Sequence, residues 1–257
     1  MRDEQFWRDR EKALEGRAEP ADGGFVLARI DGRAFHTLTR GYAKPFDERI
    51  VGAMESAARM AADAIPGCVL AYWQSDEISL AFPFRHPRKP SNDPMNGIPF
   101  GGRVEKIASV LASAASVGFD RGLPGDERVP TFDCRVFVAD DEGQLRDYLG
   151  WRIADSRKNA ISTAAWAEFG HSKLLNVNTA QRLRMLEGTE HEHIPDDYLY
   201  GKIMMKLPVQ ERVEWVDRRD GTRHEADVTR HRWAVMAATD GHVAQALGTI
   251  PQGDGTE

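Results

Sequence analysis

Apolar and polar positions change period from block to block along the chain, and the blocks predict an order of elements. Phe25-Val-Leu-Ala-Arg-Ile30 is a nearly continuous apolar run, the pattern of a central strand buried on both faces, and it ends in Asp31-Gly32. Ile50, Met54, Ala57, Ala58, Ala61 and Ile65 then recur at helical spacing. They predict a helix over about 47–64, with Pro45 and Asp47 as start signals and Pro66-Gly67 as its stop. Cys68-Val-Leu-Ala-Tyr72 and Ile78-Ser-Leu-Ala-Phe82 read as strands joined by the polar turn Trp73-Gln-Ser-Asp-Glu77, close enough to form a hairpin. Residues 83–102, rich in Pro, Gly and Asn, read as a loop. A second helix over about 103–118 puts Val104, Ile107, Leu111, Ala114, Ala115 and Gly118 on one face. A strand over 131–139 alternates Phe132, Cys134, Val136 and Val138. Ahead of all these, residues 2–15 predict a short amphipathic helix anchored by Phe6, Trp7 and Leu14.

The order β-α-β-β-α-β is the split βαβ, or ferredoxin-like, arrangement of an α+β protein. After it, residues from about 145 to 208 read as mostly helical, and a late β-hairpin is expected around Asp220-Gly221, following Arg212-Val-Glu-Trp-Val216. The expected division is 1–140 for the catalytic unit and 141–257 for a helical and hairpin C-terminal region. No internal repeat is evident, and the pattern yields no element after about residue 235.

This topology makes carboxylates converge. A right-handed crossover sets the first two strands parallel, and the third lies between them, antiparallel to both. Asp31 at the end of the first strand then meets Asp76 and Glu77 at the start of the third, although 45 residues separate Asp31 from Asp76. Crowded carboxylates repel unless something positive sits between them, and Mg²⁺ takes oxygen ligands that it shares readily with substrate phosphates. Asp31, Asp76 and Glu77 are therefore candidate catalytic residues, and Asp31, Asp76 and the Gly32 carbonyl candidate metal ligands. Two ions about 4 Å apart would activate an attacking oxygen and stabilise a leaving one. The plainer reading is that both acidic sites are turn residues, since Asp-Gly and Ser-Asp are common turn chemistry.

The loop leaving the first strand, Gly32-Arg-Ala-Phe-His36, can offer consecutive N–H groups to phosphate, with Arg33 and His36 adding charge. Phe35 as core and His36 as a polar cap is the plainer alternative. Lys44 precedes the first helix. Arg103 and Lys106 share a face at the start of the second, an end that attracts anions, and they are candidates for a triphosphate.

The chain carries 29% charged residues and a net charge of −6, so it lacks a bulk basic signature for nucleic acid, and a polyanion must be met by a local patch. Residues 146–158 supply one, interleaving Arg146, Arg152, Arg157 and Lys158 with Trp151, a pattern that suits an RNA backbone and a stacked base. An ordinary amphipathic helix with Trp151 buried fits equally well. The two cysteines, Cys68 and Cys134, lie in apolar runs and read as reduced core residues. No apolar run approaches the roughly 20 residues of a membrane helix, and Met1 to Lys12 lacks a signal-peptide core, so a cytoplasmic protein without a membrane partner is expected.

Several segments, in order, resemble the signatures of the tRNA-histidine guanylyltransferase family. They are Arg29-Ile-Asp-Gly-Arg-Ala-Phe-His36, Lys44-Pro-Phe-Asp-Glu-Arg49, Tyr72-Trp-Gln-Ser-Asp-Glu77, Phe132-Asp-Cys-Arg-Val136 and Tyr148-Leu-Gly-Trp-Arg-Ile-Ala-Asp155. The resemblance covers roughly residues 25–205. It implies a polymerase-type palm that adds nucleotides to the 5′ end of a tRNA in the 3′-to-5′ direction, with Mg²⁺ as cofactor. It also implies ATP activation of a 5′-monophosphate, attack by the 3′-hydroxyl of an incoming GTP, and a homotetramer. By the same resemblance Asp31, Asp76 and the Gly32 carbonyl match metal ligands and Glu77 an acidic neighbour. Lys44, Ser75, Arg103 and Lys106 match nucleotide and triphosphate contacts, and Asp47 a residue near the guanine base. Where the eukaryotic enzymes carry His-Ile-Asn-Asn-Leu-Tyr, this chain reads Arg157-Lys-Asn-Ala-Ile-Ser162, keeping Asn159 and replacing the histidine by Arg157. Arg152, Arg157, Lys158 and Asn159 are thus the candidate RNA-facing residues.

That departure resembles the bacterial and archaeal guanylyltransferase-like branch, which implies template-dependent repair of 5′-truncated tRNA rather than dedicated guanylylation of tRNA-His. Other readings stay open. A palm-type nucleotide cyclase also places carboxylates on this core, although the Gly-Gly-Asp-Glu-Phe signature of one such class is absent. A non-catalytic RNA-binding protein on the same fold is the other.

Overall fold

The computed structural model describes residues 16–84 and 97–250. The expected N-terminal helix over 2–15 and most of the 83–102 loop lie outside the described residues. A single six-stranded antiparallel sheet has the order β4-β1-β3-β2-β5-β6. Its strands are β1 (Phe25–Gly32), β2 (Leu70–Gln74), β3 (Glu77–Pro83), β4 (Phe132–Ala139), β5 (Lys202–Val216) and β6 (Arg223–Ala237). The helices are α1 (Phe35–Leu38), α2 (Glu48–Ala64), α3 (Val104–Gly122), α4 (Glu142–Phe169), α5 (Thr179–Met185), α6 (Asp196–Leu199) and α7 (Asp240–Gly248). The first four strands with α2 and α3 realise the ferredoxin-like core, with β3 between β1 and β2.

β1 is apolar along its length because both its faces are covered. Val26, Ala28 and Ile30 pack with α2 and α3. Phe25 and Leu27 face the other way, onto Leu145 and Leu149 of α4 and Val243, Ala246 and Leu247 of α7. α2 and α3 approach closely. A Cβ at Gly118 would lie 2.8 Å from the Ala57 Cα, so only a bare backbone fits there. Asp47 caps α2 by accepting the Arg49 amide at 3.0 Å, and Asp141 caps α4 through the Gln144 amide at 2.8 Å. Among the described residues no helix is long and apolar enough to cross a membrane. Cys68 is buried, Cys134 half-buried, and both are free thiols.

One expectation needs correction. The stretch expected to be mostly helical to 208 turns to strand at Lys202, because Ile203, Met204 and Met205 are buried between the two cores, beside β2. The late hairpin is correspondingly long, pairing Lys202 with Ala237 and Val216 with Arg223. One sheet therefore carries strands from both sides of residue 140.

Candidate active site

β1 ends beside the two-residue turn Ser75-Asp76 that joins β2 to β3. The Gly32 amide donates to the Asp76 carbonyl at 2.9 Å, pinning that turn to the end of β1. A Cβ on Gly32 would sit 2.2 and 2.4 Å from ring carbons of Phe35 and 2.9 Å from the Asp76 Cβ, so glycine is required by close approach. Asp31 and Asp76 share this edge. Burial pushes the Asp76 carboxyl above its ordinary value, and the charge of Asp31 pushes it further. Gly32→Ala must move Phe35 or the turn. We expect it to cost about 1–3 kcal/mol in urea unfolding, as overpacking does, and to disperse the two carboxylates.

Glu77 meets a different set of partners from Asp76. It is the cross-strand partner of Asp31, so the two side chains take the same face of the sheet, where Glu77 reaches toward α4. There the Arg152 Nε donates to Glu77 Oε1 at 2.7 Å, and the Arg29 guanidinium lies 4.0 Å from Oε2. Burial raises the Glu77 carboxyl, Arg152 and then Arg29 oppose it, and the Asp31 charge adds to the rise. Arg152 also donates to Asp155 at 2.8 Å and is itself buried. Of the residues expected to face RNA, Arg152 is therefore committed to an internal ion pair, whereas Arg157, Lys158 and Asn159 are exposed along α4.

The turn after β1 keeps two of its amides occupied: Gly32 bonds Asp76 and Arg33 donates to the Thr131 carbonyl at 2.8 Å. Ala34 is left-handed, with φ 55°. The N–H groups of Ala34, Phe35 and His36 have no acceptor among the described residues, which leaves a small anion-attracting concavity beside Asp31 and Asp76. Phe35 is core, stacked edge-on to Phe119 at 5.1 Å, while His36 and Arg33 are exposed.

A cavity of about 400 Å³ opens next to this edge. Of the expected nucleotide contacts, Phe35, His36, Lys44, Asp47 and Ser75 line it, together with Asp76. The Asp47 carboxylate is already engaged, accepting from the Ala43 amide at 2.8 Å and from the Arg49 guanidinium at 2.7 Å, and Arg49 holds it well below its ordinary value. The far wall is built by Asn159, expected to face RNA, with Thr163 of α4, Tyr198 and Lys202, three residues that sequence reasoning missed. Tyr198 stacks on Phe46 at 4.0 Å and donates to Glu48 at 2.6 Å. No periodicity links residues so distant in sequence.

Arg103 and Lys106 are not brought to this edge. β3 runs away from the Asp76 turn, so the helix that follows it starts at the opposite end of the sheet. Arg103 there bridges to Arg17, and the Ala18 amide donates to the Gly102 carbonyl at 2.8 Å. Phe119, near the other end of α3, is the part that reaches Phe35 and Phe132 beside Gly32. The 13 residues from Lys106 to Phe119 amount to roughly 20 Å of helix. Asp133, by contrast, stands directly opposite Asp31 across β1–β4 with its side chain 56% exposed, an acidic neighbour that sequence reasoning did not weigh.

Comparison with known proteins identifies relatives of the chain. The family model described as tRNAHis guanylyltransferase matches residues 9–140. A mouse protein named as a probable tRNA(His) guanylyltransferase is 34% identical over 169 residues, covering 62% of this chain and 53% of the mouse protein. The chain thus spans about half the length of that relative. Among solved structures, a bacterial tRNA(His) guanylyltransferase-like protein in complex with ATP is similar with a TM-score of 0.74 at 28% identity, over 95% of this chain and 97% of that one. The same description in complex with GTP is similar with a TM-score of 0.71 at 27% identity, with the same coverage.

Proposed function

The chain belongs to the tRNAHis guanylyltransferase family, and on that premise we propose that it is a nucleotidyltransferase that extends the 5′ end of tRNA in the 3′-to-5′ direction, in template-dependent repair of 5′-truncated tRNA. The observation that carries this reading is the meeting of Asp31 and Asp76 beside a cavity lined by Lys44, Ser75 and His36. Likeness to bacterial guanylyltransferase-like proteins over 95% of the chain supports the repair branch.

Magnesium fits the residues present. Among the described residues no group of three or more Cys, His, Asp or Glu side chains is placed to hold a metal ion, and in this reading the donors would be the Asp31 and Asp76 carboxylates with the Gly32 carbonyl. Mg²⁺ favours such a partial set, because it retains water and phosphate oxygens in its shell. When bound, it supplies neutralisation of phosphate charge and activation of the attacking hydroxyl.

The chain's own groups do the positioning. The cavity takes the nucleotide, with Lys44 and His36 near its phosphates and the Phe46–Tyr198 wall beside its base. Arg157, Lys158 and Asn159 meet the RNA end, Arg157 in place of the family's histidine. In the activation step an oxygen of the RNA 5′-monophosphate attacks the α-phosphorus of ATP, and pyrophosphate leaves. The 3′-hydroxyl of the incoming nucleotide, GTP where the template calls for it, then attacks the 5′-phosphorus, loses its proton, and AMP leaves. The Ala34–His36 amides would stabilise developing phosphate charge. The active form in this reading is a homotetramer in the cytoplasm.

The test is incubation with Mg²⁺, ATP, labelled nucleotides and a tRNA lacking its first 5′ nucleotide. Extension that follows the opposing base is expected. Addition of a single untemplated G to tRNA-His alone would place the chain with the dedicated enzymes. Absence of extension even from a 5′-triphosphorylated RNA, with a cyclic product from GTP or ATP, would replace the reading by a cyclase.

A further inference from the structure

Trp151 has no part in the chemistry above, yet its setting is specific. It sits on α4 and is 56% exposed, which leaves a large amphipathic ring available to a partner. The ring is also held in place. The Arg152 guanidinium lies 4.2 Å from its centroid, that of Arg29 5.9 Å, and Tyr148 meets it edge-on at 6.1 Å. Tyr148 in turn is fixed by a 2.7 Å bond with Ser79 and by Phe137 at 5.2 Å. Arg152 is locked by Glu77. A ring held this way loses little rotamer freedom when another ring stacks on it.

Its location gives it a partner. Arg29 lies two residues before Asp31 on the same face of β1, so the ring is one strand repeat, roughly 7 Å, back from the carboxylate edge. Arg135 is paired directly with Arg29 across β1–β4, and β4 is the edge strand. Lys158, seven residues on, shares the helix face of Trp151 at roughly 10 Å. An exposed aromatic ring amid Arg29, Arg135 and Lys158 matches RNA rather than an apolar protein surface. In an RNA stem the internal bases cover one another, and only the terminal pair has a free π-face.

We propose that Trp151 is the stacking platform for the terminal base pair of the RNA stem, setting the stem end against Asp31 and Asp76. This rests on the reading above and assigns its RNA-end contact. A duplex end one pair too short or too long would stack equally well but carry its 5′-phosphate differently past the carboxylates, so the platform acts as a stop for the stem.

The experiment compares the wild type with Trp151→Ala and Trp151→Phe in the full chain, on an RNA hairpin whose stem ends in a base pair and lacks the 5′-terminal nucleotide. Trp151→Ala is expected to raise the KM for the hairpin roughly tenfold, the usual size of one lost stack, with the KM for GTP unchanged. Trp151→Phe should recover most of the loss, and the hairpin should quench intrinsic fluorescence less in that variant than in the wild type. Unchanged hairpin KM in Trp151→Ala overturns the proposal, as does a loss accompanied by a change of oligomeric mass in light scattering, which would make Trp151 a subunit contact. Extension of the hairpin by the wild type and both variants with the same hairpin KM keeps the function and removes the platform. Quenching through Trp151 without any extension does the reverse.

Discussion

Asp76→Asn abolishes nucleotide addition and leaves the protein folded. The expected loss is on the order of a thousandfold, since an interaction of about 4 kcal/mol with developing phosphate charge is removed with the metal site. The fold should not suffer. Burial and the Asp31 charge both work against the ionised Asp76 carboxyl, and an amide of the same shape carries no charge to bury. The metal-free variant should therefore unfold in urea at the same concentration as the wild type or a higher one. Asp31→Asn should lose activity to a similar degree. Because both side chains serve one site, the double variant should be little worse than either single one. Additive losses, or substantial activity in either variant, would dissociate the two carboxylates and remove the basis of the metal reading. RNA binding measured by anisotropy should survive in both.

The convergence of Asp31 and Asp76 was legible in the sequence because it follows from chain topology. Strand order and crossover handedness fix which ends meet, and apolar runs were enough to count the strands. Glu77 lies one residue further on, and that residue decides everything about it. Asp76 is in the turn, whereas Glu77 is the first residue of β3 and takes the face set by strand alternation, toward α4. The pattern blurred that boundary and grouped the two acids. α4 inverted the ordinary expectation at two adjacent positions, burying Arg152 and exposing Trp151. Nothing in local hydrophobicity announces this, because the reason is a carboxylate on another element. Arg103 and Lys106 could have been placed from topology alone: a helix following β3 must begin where β3 ends, away from the Asp76 turn. The cavity wall at Tyr198 and Lys202 was out of reach, since it depends on how the chain returns after α4. The change to strand at Lys202 was equally hidden, as a short apolar run serves helix or strand alike.

The buried pair that hid in this way should dominate stability. Arg152→Ala leaves Glu77, 8% exposed at its side chain, without its principal partner, and Arg29 at 4.0 Å replaces little of it. Breaking a buried pair by removing one partner typically costs about 3–5 kcal/mol, roughly 10 °C in Tm for a chain of this size. Asp155 is partly exposed and returns to water at small cost. The double variant Arg152→Met/Glu77→Gln removes both charges and keeps the volume, so it should recover most of that loss. Its activity then settles what Glu77 contributes. If Glu77 acts only by anchoring the start of β3 to α4, the double variant folds and adds nucleotides at a rate near that of the wild type. If Glu77 takes part in the chemistry, the double variant is folded, binds RNA and is inactive. The geometry favours the first outcome, because the Glu77 carboxylate is held at 2.7 Å by the Arg152 guanidinium and, among the described residues, Glu77 is not one that lines the cavity beside Asp76.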